Sequence, residues 1–299
     1  MARAARLGGR ASKLSLVQAE LAAEALRAVG IETEFVPVST QGDRDQTSSL
    51  RTIGGQGVFV RAVESALLDG EIDVAVHSAK DVPPTIAEGT VLAAYLPRGD
   101  VRDALVSRDQ VGLLDLPHGA KVGTGSRRRA AQLLRLRSDL QVIDIRGNVD
   151  TRLRKVERGE YHAVVVAAAG LQRLGRAPSE LLPIDLIMPS PGQGALVIQC
   201  RSEDADRVAA ANHQASAQAV SAERAMLRAL GAGCSLPLAA LGGMRGGEVL
   251  LAGRLLSADG SERIEVQRSA SDPEVVGAEV AEALLERGGR RLMEEDTGL

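Results

Sequence analysis

The sequence predicts an α/β fold of two lobes joined by hinge crossovers, followed by a small C-terminal α+β domain. Three observations predict it. Short Val/Ala/Ile runs alternate with helical stretches over the first 200 residues, each run emptying into a polar turn. Two Pro/Gly-marked breaks, at 96–103 and 189–194, divide that region. Beyond residue 213, alternating strands joined by a hairpin signal replace the α/β rhythm. The expected division is residues 1–97 with 193–213 as the first lobe, 98–192 as the second, and 214–299 as the C-terminal domain.

In chain order, residues 7–10 read as the end of a first strand. A helix follows from Ser12, its expected N-cap. Leu14, Val17, Leu21, Leu26 and Val29 supply its expected apolar stripe, and Gly30 ends it. Arg10 and Ser12 thereby occupy a strand-to-helix turn, where backbone N–H groups favour anions. A solvated arginine and an ordinary cap would read the same way. A strand is expected at 31–39. Residues 40–58 are polar and Gly-rich, long for a plain connection, and so expected to be mobile or functional. A helix over 59–68 begins at Phe59 and leads through Gly70 to a buried strand at 73–76.

That strand opens into His77-Ser-Ala-Lys-Asp81 and is stopped by Pro83 and Pro84. In parallel sheets the working residues sit just past the carboxyl ends of strands, which selects Ser78, Lys80 and Asp81. In isolation, a turn-capping Asp81 and a solvated Lys80 fit equally well.

After a strand at 91–95 and the first crossover, strands are expected at 120–123, 141–145 and 163–167. Each runs into a turn and a helix start: Gly123-Thr-Gly-Ser-Arg-Arg-Arg129, Arg146-Gly-Asn-Val-Asp-Thr-Arg152 and Ala168-Ala-Gly-Leu-Gln-Arg173. One such Arg cluster is more often a solvated helix face. Three on parallel strands converge at one sheet edge, and planar guanidinium groups suit bidentate capture of carboxylates. The second crossover, around Gly192, Gln193 and Gly194, returns the chain through a strand at 195–200 to complete the first sheet. Two lobes with two crossovers make a hinged cleft of the kind solute-binding proteins have. The C-terminal domain reads as a helix over 216–230, a glycine-flanked loop holding Cys234, strands at 248–257 and 262–270, and a helix over 273–287.

The formal net charge is −3 over 299 residues, yet residues 121–176 hold thirteen Lys/Arg against five Asp/Glu. A basic segment in an acidic chain points to a local anion site. Aromatics are 1% and Trp is absent, which leaves little for single-strand stacking and argues against a nucleic-acid partner. Two cysteines and four scattered histidines give neither a disulfide framework nor metal-ligand spacing, so no metal is expected. Cys200 lies within an apolar strand and reads as an inert buried thiol. Cys234 could be the same, but its flanking glycines favour a functional loop. The N-terminal ten residues lack an apolar signal-peptide core and no run approaches a membrane span, so a cytoplasmic protein without a membrane partner is expected.

The ordered set Arg10-Ala-Ser12, Gly54-Gly-Gln-Gly-Val-Phe59, His77-Ser-Ala-Lys-Asp-Val-Pro83, Gly123-Thr-Gly-Ser-Arg-Arg-Arg129, Arg146-Gly-Asn-Val149, Ala169-Gly-Leu-Gln-Arg-Leu-Gly175, Gly192-Gln-Gly-Ala195 and Gly233-Cys-Ser-Leu-Pro237 resembles the porphobilinogen deaminase (hydroxymethylbilane synthase) family over essentially the whole chain. The resemblance implies two lobes of the type II periplasmic-binding-protein kind and a third domain with a cysteine loop. It implies a monomeric transferase of tetrapyrrole biosynthesis that joins porphobilinogen head to tail, with loss of ammonia, into hydroxymethylbilane. It also implies a dipyrromethane cofactor, thioether-linked to Cys234, and Asp81 as the catalytic carboxylate. Two departures stand out. Gln56 replaces a frequent family Lys, and the Thr-Gly-Ser-Arg run differs from the family's common Thr-Ser-Ser-Leu, which makes Arg127 a weaker candidate than its neighbours.

A growing chain of pyrroles bearing acetate and propionate needs many cations. The expected clamps are Arg10, Arg128, Arg129, Arg146, Arg152 and Arg173, with Lys80, Ser12, Ser78, Thr124 and Ser126 as further donors. Phe59, Gly192, Gln193 and Gly194 are expected at the loop and hinge. The rival readings are a binding protein without chemistry and a nucleic-acid binder with steep salt dependence.

Overall fold

The computed structural model describes residues 3–38, 57–231 and 236–297; Gln56 and Cys234, singled out above, lie outside the described residues. The first lobe contains β1 (Ala5–Gly9), α1 (Lys13–Ala28), β2 (Thr33–Pro37), α2 (Gly57–Leu68), β3 (Val74–Ser78) and β4 (Thr90–Tyr95). The second contains β5 (Asp103–Ser107), β6 (Lys121–Gly123), α3 (Arg127–Leu136), β7 (Gln141–Ile143), α4 (Val149–Glu157), β8 (Ala163–Ala167), α5 (Ala168–Arg173) and β9 (Glu180–Leu182). The chain returns through β10 (Leu196–Arg201) and α6 (Ala205–Ala209), then builds α7 (Gln214–Ala229), β11 (Leu238–Arg245), β12 (Glu248–Leu256), β13 (Arg263–Ala270), α8 (Pro273–Leu284) and α9 (Arg290–Thr297).

Both lobes share one plan. The first sheet has the order β2-β1-β3-β10-β4 and the second β7-β6-β8-β5-β9. In each, the fourth strand alone runs against the rest: β10 is antiparallel to β3 and β4, and β5 to β8 and β9. Those two reversed strands are the ones that follow the crossovers. This is the expected pair of type II periplasmic-binding-protein-like lobes, each finished by a strand arriving from the other side of the hinge.

The continuous apolar run of β8 follows from its central place. Ala163 and Val165 pack on one face with Leu105, Val122 and Leu133, while Val164 and Val166 pack on the other with Ile145 and Leu153. Burying both faces contributes roughly 1.5–3 kcal/mol per large side chain and removes any need for polar alternation. In β10, Leu196, Ile198 and Cys200 join the core beneath α1. Burial pushes the Cys200 thiol up to about 11, as expected of an inert thiol. The C-terminal sheet, β11-β12-β13, is antiparallel, and its core joins Leu251 and Val266 to Met226 of α7 and Val280 of α8.

Three sequence expectations need correction. The buried face of α1 is Gln18, Ala19, Ala22 and Leu26, whereas Leu21 is exposed and Leu14 and Val17 are half-buried. Small alanines let α1 lie close to the sheet, so the helix does not use all its large residues. Strands β5, β9 and β11 were not expected: β5 directly follows a polar stretch that looks like an exposed crossover, β9 is only three residues long, and β11 carries Gly242 and Gly243. The strand expected to end at Val76 continues through His77 and Ser78, which pair with Val197 and Leu196 of β10.

Candidate active site

The site begins where β3 stops. A single turn of 3₁₀ helix, Ala79–Asp81, follows Ser78, and the Val82 N–H closes it onto the Ala79 carbonyl at 3.3 Å. Pro83 and Pro84 offer no N–H, so the strand cannot resume. The Ala79 N–H bonds to the Ala195 carbonyl (3.0 Å), fastening the turn to the second crossover. Asp81 is exposed and Lys80 half-buried.

Two glycines let the backbones meet. Gly192 has φ +75, and a Cβ there would sit 2.7 Å from the Lys80 backbone nitrogen. Gly194 has φ +86, and a Cβ there would sit 2.7 Å from the Gly99 carbonyl oxygen. Any side chain would force the crossovers apart from each other or from the turn. Between them Gln193 is fully buried, and its carboxamide donates to the Val101 carbonyl (2.9 Å) and Asp103 Oδ1 (2.8 Å).

From the second lobe, β6, β7 and β8 are mutually parallel, so the three turns beyond them lie along one edge. Ser126 caps α3, accepting from the Arg129 N–H at 3.4 Å, and buried Thr124 Oγ1 accepts from the Ser126 N–H at 3.2 Å. Asn148 caps α4, placing Arg152 on its first turn, where Nε donates to the Gly147 carbonyl at 2.8 Å. Arg173, at the end of α5, donates to the Gly194 carbonyl at 2.9 Å. On the first lobe, Ser12 caps α1 and bonds Ser15, Ser78 Oγ accepts from Gln18 Nε2 (2.9 Å), and the Arg10 guanidinium lies over the Phe59 ring, 5.1 Å from its centre.

The electrostatics join the two lobes. Burial pushes the Lys80 ammonium down to about 8, the Asp81 charge opposes that shift, and Arg129 and Arg128 add to it. The Arg152 guanidinium is lowered by burial and by Arg129, and raised by Asp144 and Asp81. Burial also lowers that of Arg173. One exposed carboxylate, Asp81, is thus within electrostatic reach of Lys80 from the first lobe and Arg152 from the second. Desolvated cations of this kind favour a polyanionic occupant.

The structure sorts the expected residues unevenly. Ser78, Lys80, Asp81, Arg152 and Arg173 gather at the meeting edge. Arg146 is exposed and paired with Asp144 at 3.3 Å. Arg128 and Arg129, expected as clamps on a ligand, instead turn inward. Arg128 donates to Asp103 Oδ2 and the Met188 carbonyl, and Arg129 to Asp103 Oδ1 and the Val165 carbonyl. Buried guanidinium groups need a close carboxylate, and Asp103 is that partner. Burial alone would push its carboxyl up, but the two guanidiniums hold it well below the usual carboxylate range. Sequence reading missed Asp103 because Arg-Gly-Asp-Val-Arg-Asp looks like an exposed crossover. The apolar Ala-Leu-Val that follows was the available signal that a strand starts there.

Comparison with known proteins gives a consistent picture. Residues 5–209 match the family model described as porphobilinogen deaminase, dipyromethane cofactor binding domain, and residues 217–286 match that of the porphobilinogen deaminase C-terminal domain. The chain is 45% identical over 295 residues to porphobilinogen deaminase of Roseiflexus sp. (strain RS-1), covering 96% of this chain and 97% of the relative. It is 46% identical over 291 residues to that of Rubrobacter xylanophilus, covering 96% and 95%. Among solved structures, a YaeC-family lipoprotein from Enterococcus faecalis aligns with 15% identity and a TM-score of 0.40, over 70% of this chain and 90% of that one.

Proposed function

The chain belongs to the porphobilinogen deaminase family, and from that premise we propose that the edge where the two lobes meet is its polymerising site, with Asp81 as the catalytic carboxylate and Cys234 as the cofactor anchor. The enzyme joins porphobilinogen units head to tail, releasing ammonia, to form the linear tetrapyrrole hydroxymethylbilane, with a dipyrromethane as cofactor. The observation that supports the placement is the approach of Lys80 from the first lobe and Arg152 from the second to exposed Asp81, with Arg173 on the adjoining crossover at Gly194.

A dipyrromethane bears two acetates and two propionates, and desolvated cations at this edge suit it. Lys80, Arg152, Arg173 and Arg10 would hold its carboxylates, with Arg146 nearer the rim. Bound, it supplies the pyrrole α-carbon to which the first substrate unit is joined. Arg128 and Arg129, neutralised in part by Asp103, form the charged floor behind them. Lys80 and the arginines orient the acetate and propionate of incoming porphobilinogen. Asp81 stabilises the positive charge that develops on the substrate as ammonia leaves, and again before the α-proton departs. The same reading takes the enzyme as a cytoplasmic monomer without nucleic-acid or membrane partners.

An intact mass under denaturing, reducing conditions tests the anchor. The expected result is an excess of two linked pyrroles, mapping to the Cys234 peptide, absent in Cys234→Ala and retained in Cys200→Ala. Full loading of Cys234→Ala would overturn the assignment.

Lys80 makes a pH prediction. Its folded value of about 8 lies below the ordinary 10.5, so the unfolded chain holds this proton more tightly. The resulting stability cost is full below pH 8 and fades as the pH rises toward 10.5. Binding runs the other way, because only the ammonium grips a carboxylate. KM for porphobilinogen is expected to rise above pH 8, by up to about tenfold one unit higher. Lys80→Met should show an already raised KM that lacks this step. A wild-type KM flat through that range would remove Lys80 from the clamp.

A further inference from the structure

Two consecutive residues of α7, Glu223 and Arg224, are almost fully buried although charged, at 0% and 5% exposure. The reaction chemistry gives neither a task. The Glu223 carboxylate accepts four N–H bonds: from Arg98 Nη1 (2.7 Å) and Nη2 (3.2 Å), from the Gly192 N–H (2.5 Å) and from the Gly242 N–H (2.7 Å). Arg98 lies on the first crossover and Gly192 on the second, so one carboxylate ties both hinge strands to the C-terminal domain. The Gly192 peptide in turn presses against Ala79 and Lys80.

Arg224 takes hold of the other end of the same turn. It donates to the carbonyls of Val82 (3.1 Å), Pro83 (2.8 Å) and Pro84 (3.2 Å), the three residues that follow Asp81. Between the 3₁₀ turn and β4 this segment has no sheet ladder. Its carbonyls need a donor to fix their direction, and a planar guanidinium can serve several at once. Asp81 is therefore bracketed by Gly192 on one side and Arg224 on the other, and both brackets are anchored in one helix. The same helix ends at Ala229, five residues before Cys234 in the sequence.

We propose that Arg224, seconded by Glu223, is a positioning residue for the reaction: it fixes the backbone of the Asp81 turn relative to the C-terminal domain. The proposal rests on the reading of Asp81 as the catalytic carboxylate. A carboxylate displaced by about an ångström can cost on the order of a hundredfold in rate, and a turn held by three carbonyl bonds is sensitive on that scale.

The test uses holoenzyme whose mass carries the two-pyrrole adduct. Arg224→Met is expected to lower kcat by about tenfold or more, with KM within about twofold, and Arg224→Lys to recover part of the loss. Arg228→Met is the control. It removes an arginine of the same helix that pairs with Glu274 at the surface, and should turn over like the parent. In an Asp81→Asn background, Arg224→Met should add less than about twofold, because both changes act on one group. The proposal is overturned if Arg224→Met keeps parental kcat, if Arg228→Met loses as much, or if the Arg224 effect multiplies undiminished onto Asp81→Asn. Should Arg224→Met yield no folded holoenzyme, Arg224→Lys decides: a severalfold loss of kcat supports positioning and a parental kcat refutes it. If Asp81→Asn itself turns over normally, the reading of Asp81 has failed instead.

Discussion

Asp81→Asn is expected to bind porphobilinogen with a nearly parental affinity and to lose about a thousandfold in single-turnover rate. Asparagine keeps the size of the side chain and removes only its charge. Asp81 is exposed on a turn whose backbone is held from both sides, so the exchange should leave the fold intact. What disappears is an anion opposite a cation that exists only while ammonia and the α-proton are leaving. At about 4 Å and an effective dielectric of about 20, such a pair is worth about 4 kcal/mol, which corresponds to the stated rate. In the proposed site, ground-state binding falls to Lys80 and the arginines, so KM should change little. Rapid-quench kinetics on cofactor-loaded protein measures the effect. A rate within tenfold of the parent would mean that the charge of Asp81 is not what stabilises the transition state.

The parts of this site that can be read from sequence are those made of local pattern. The strand expected at 73–76, its polar turn and the proline stop are contiguous, and the three Arg-bearing turns announce themselves by repeating one strand-turn-helix phrase. The helix cap Ser12 is equally local. The unread parts depend on long-range partners. Nothing near Arg128 or Arg129 says that Asp103, about 25 positions away, will draw both guanidiniums inward. Glu223 and Arg224 sit inside an amphipathic helix, where two adjacent charges ordinarily read as its solvated face, yet the hinge and the Asp81 turn cover them. A buried ion pair becomes visible only when both partners are placed, whereas an apolar stripe or a cap is visible from one segment.

Asp103→Ala is expected to destabilise the protein by about 3–5 kcal/mol, because it breaks a buried ion pair from one side only. Asp103 is fully buried and neutralises two guanidiniums that are themselves only 4% and 7% exposed, while also receiving the Gln193 carboxamide of the hinge. Without it, two cations face each other in a desolvated space. Their remaining bonds go to the neutral carbonyls of Met188 and Val165 and weakly to Gln193. A loss of that size is about a fifth or more of the stability of an ordinary domain and should lower the urea midpoint without a matching change in slope. Replacing all three charges together, Asp103→Leu with Arg128→Met and Arg129→Leu, should recover most of it, since well-packed apolar groups replace a buried ion triad at little net cost. The same triple variant separates stability from electrostatics. Asp103 raises the Lys80 ammonium while Arg129 and Arg128 lower it, so removing all three removes one positive charge on balance and should move the Lys80-linked rise in KM to higher pH. Recovered stability with an unshifted KM profile would show that the triad holds the lobe together without setting the charge of the site. A shifted profile would make it the source of the positive floor on which the substrate carboxylates rest.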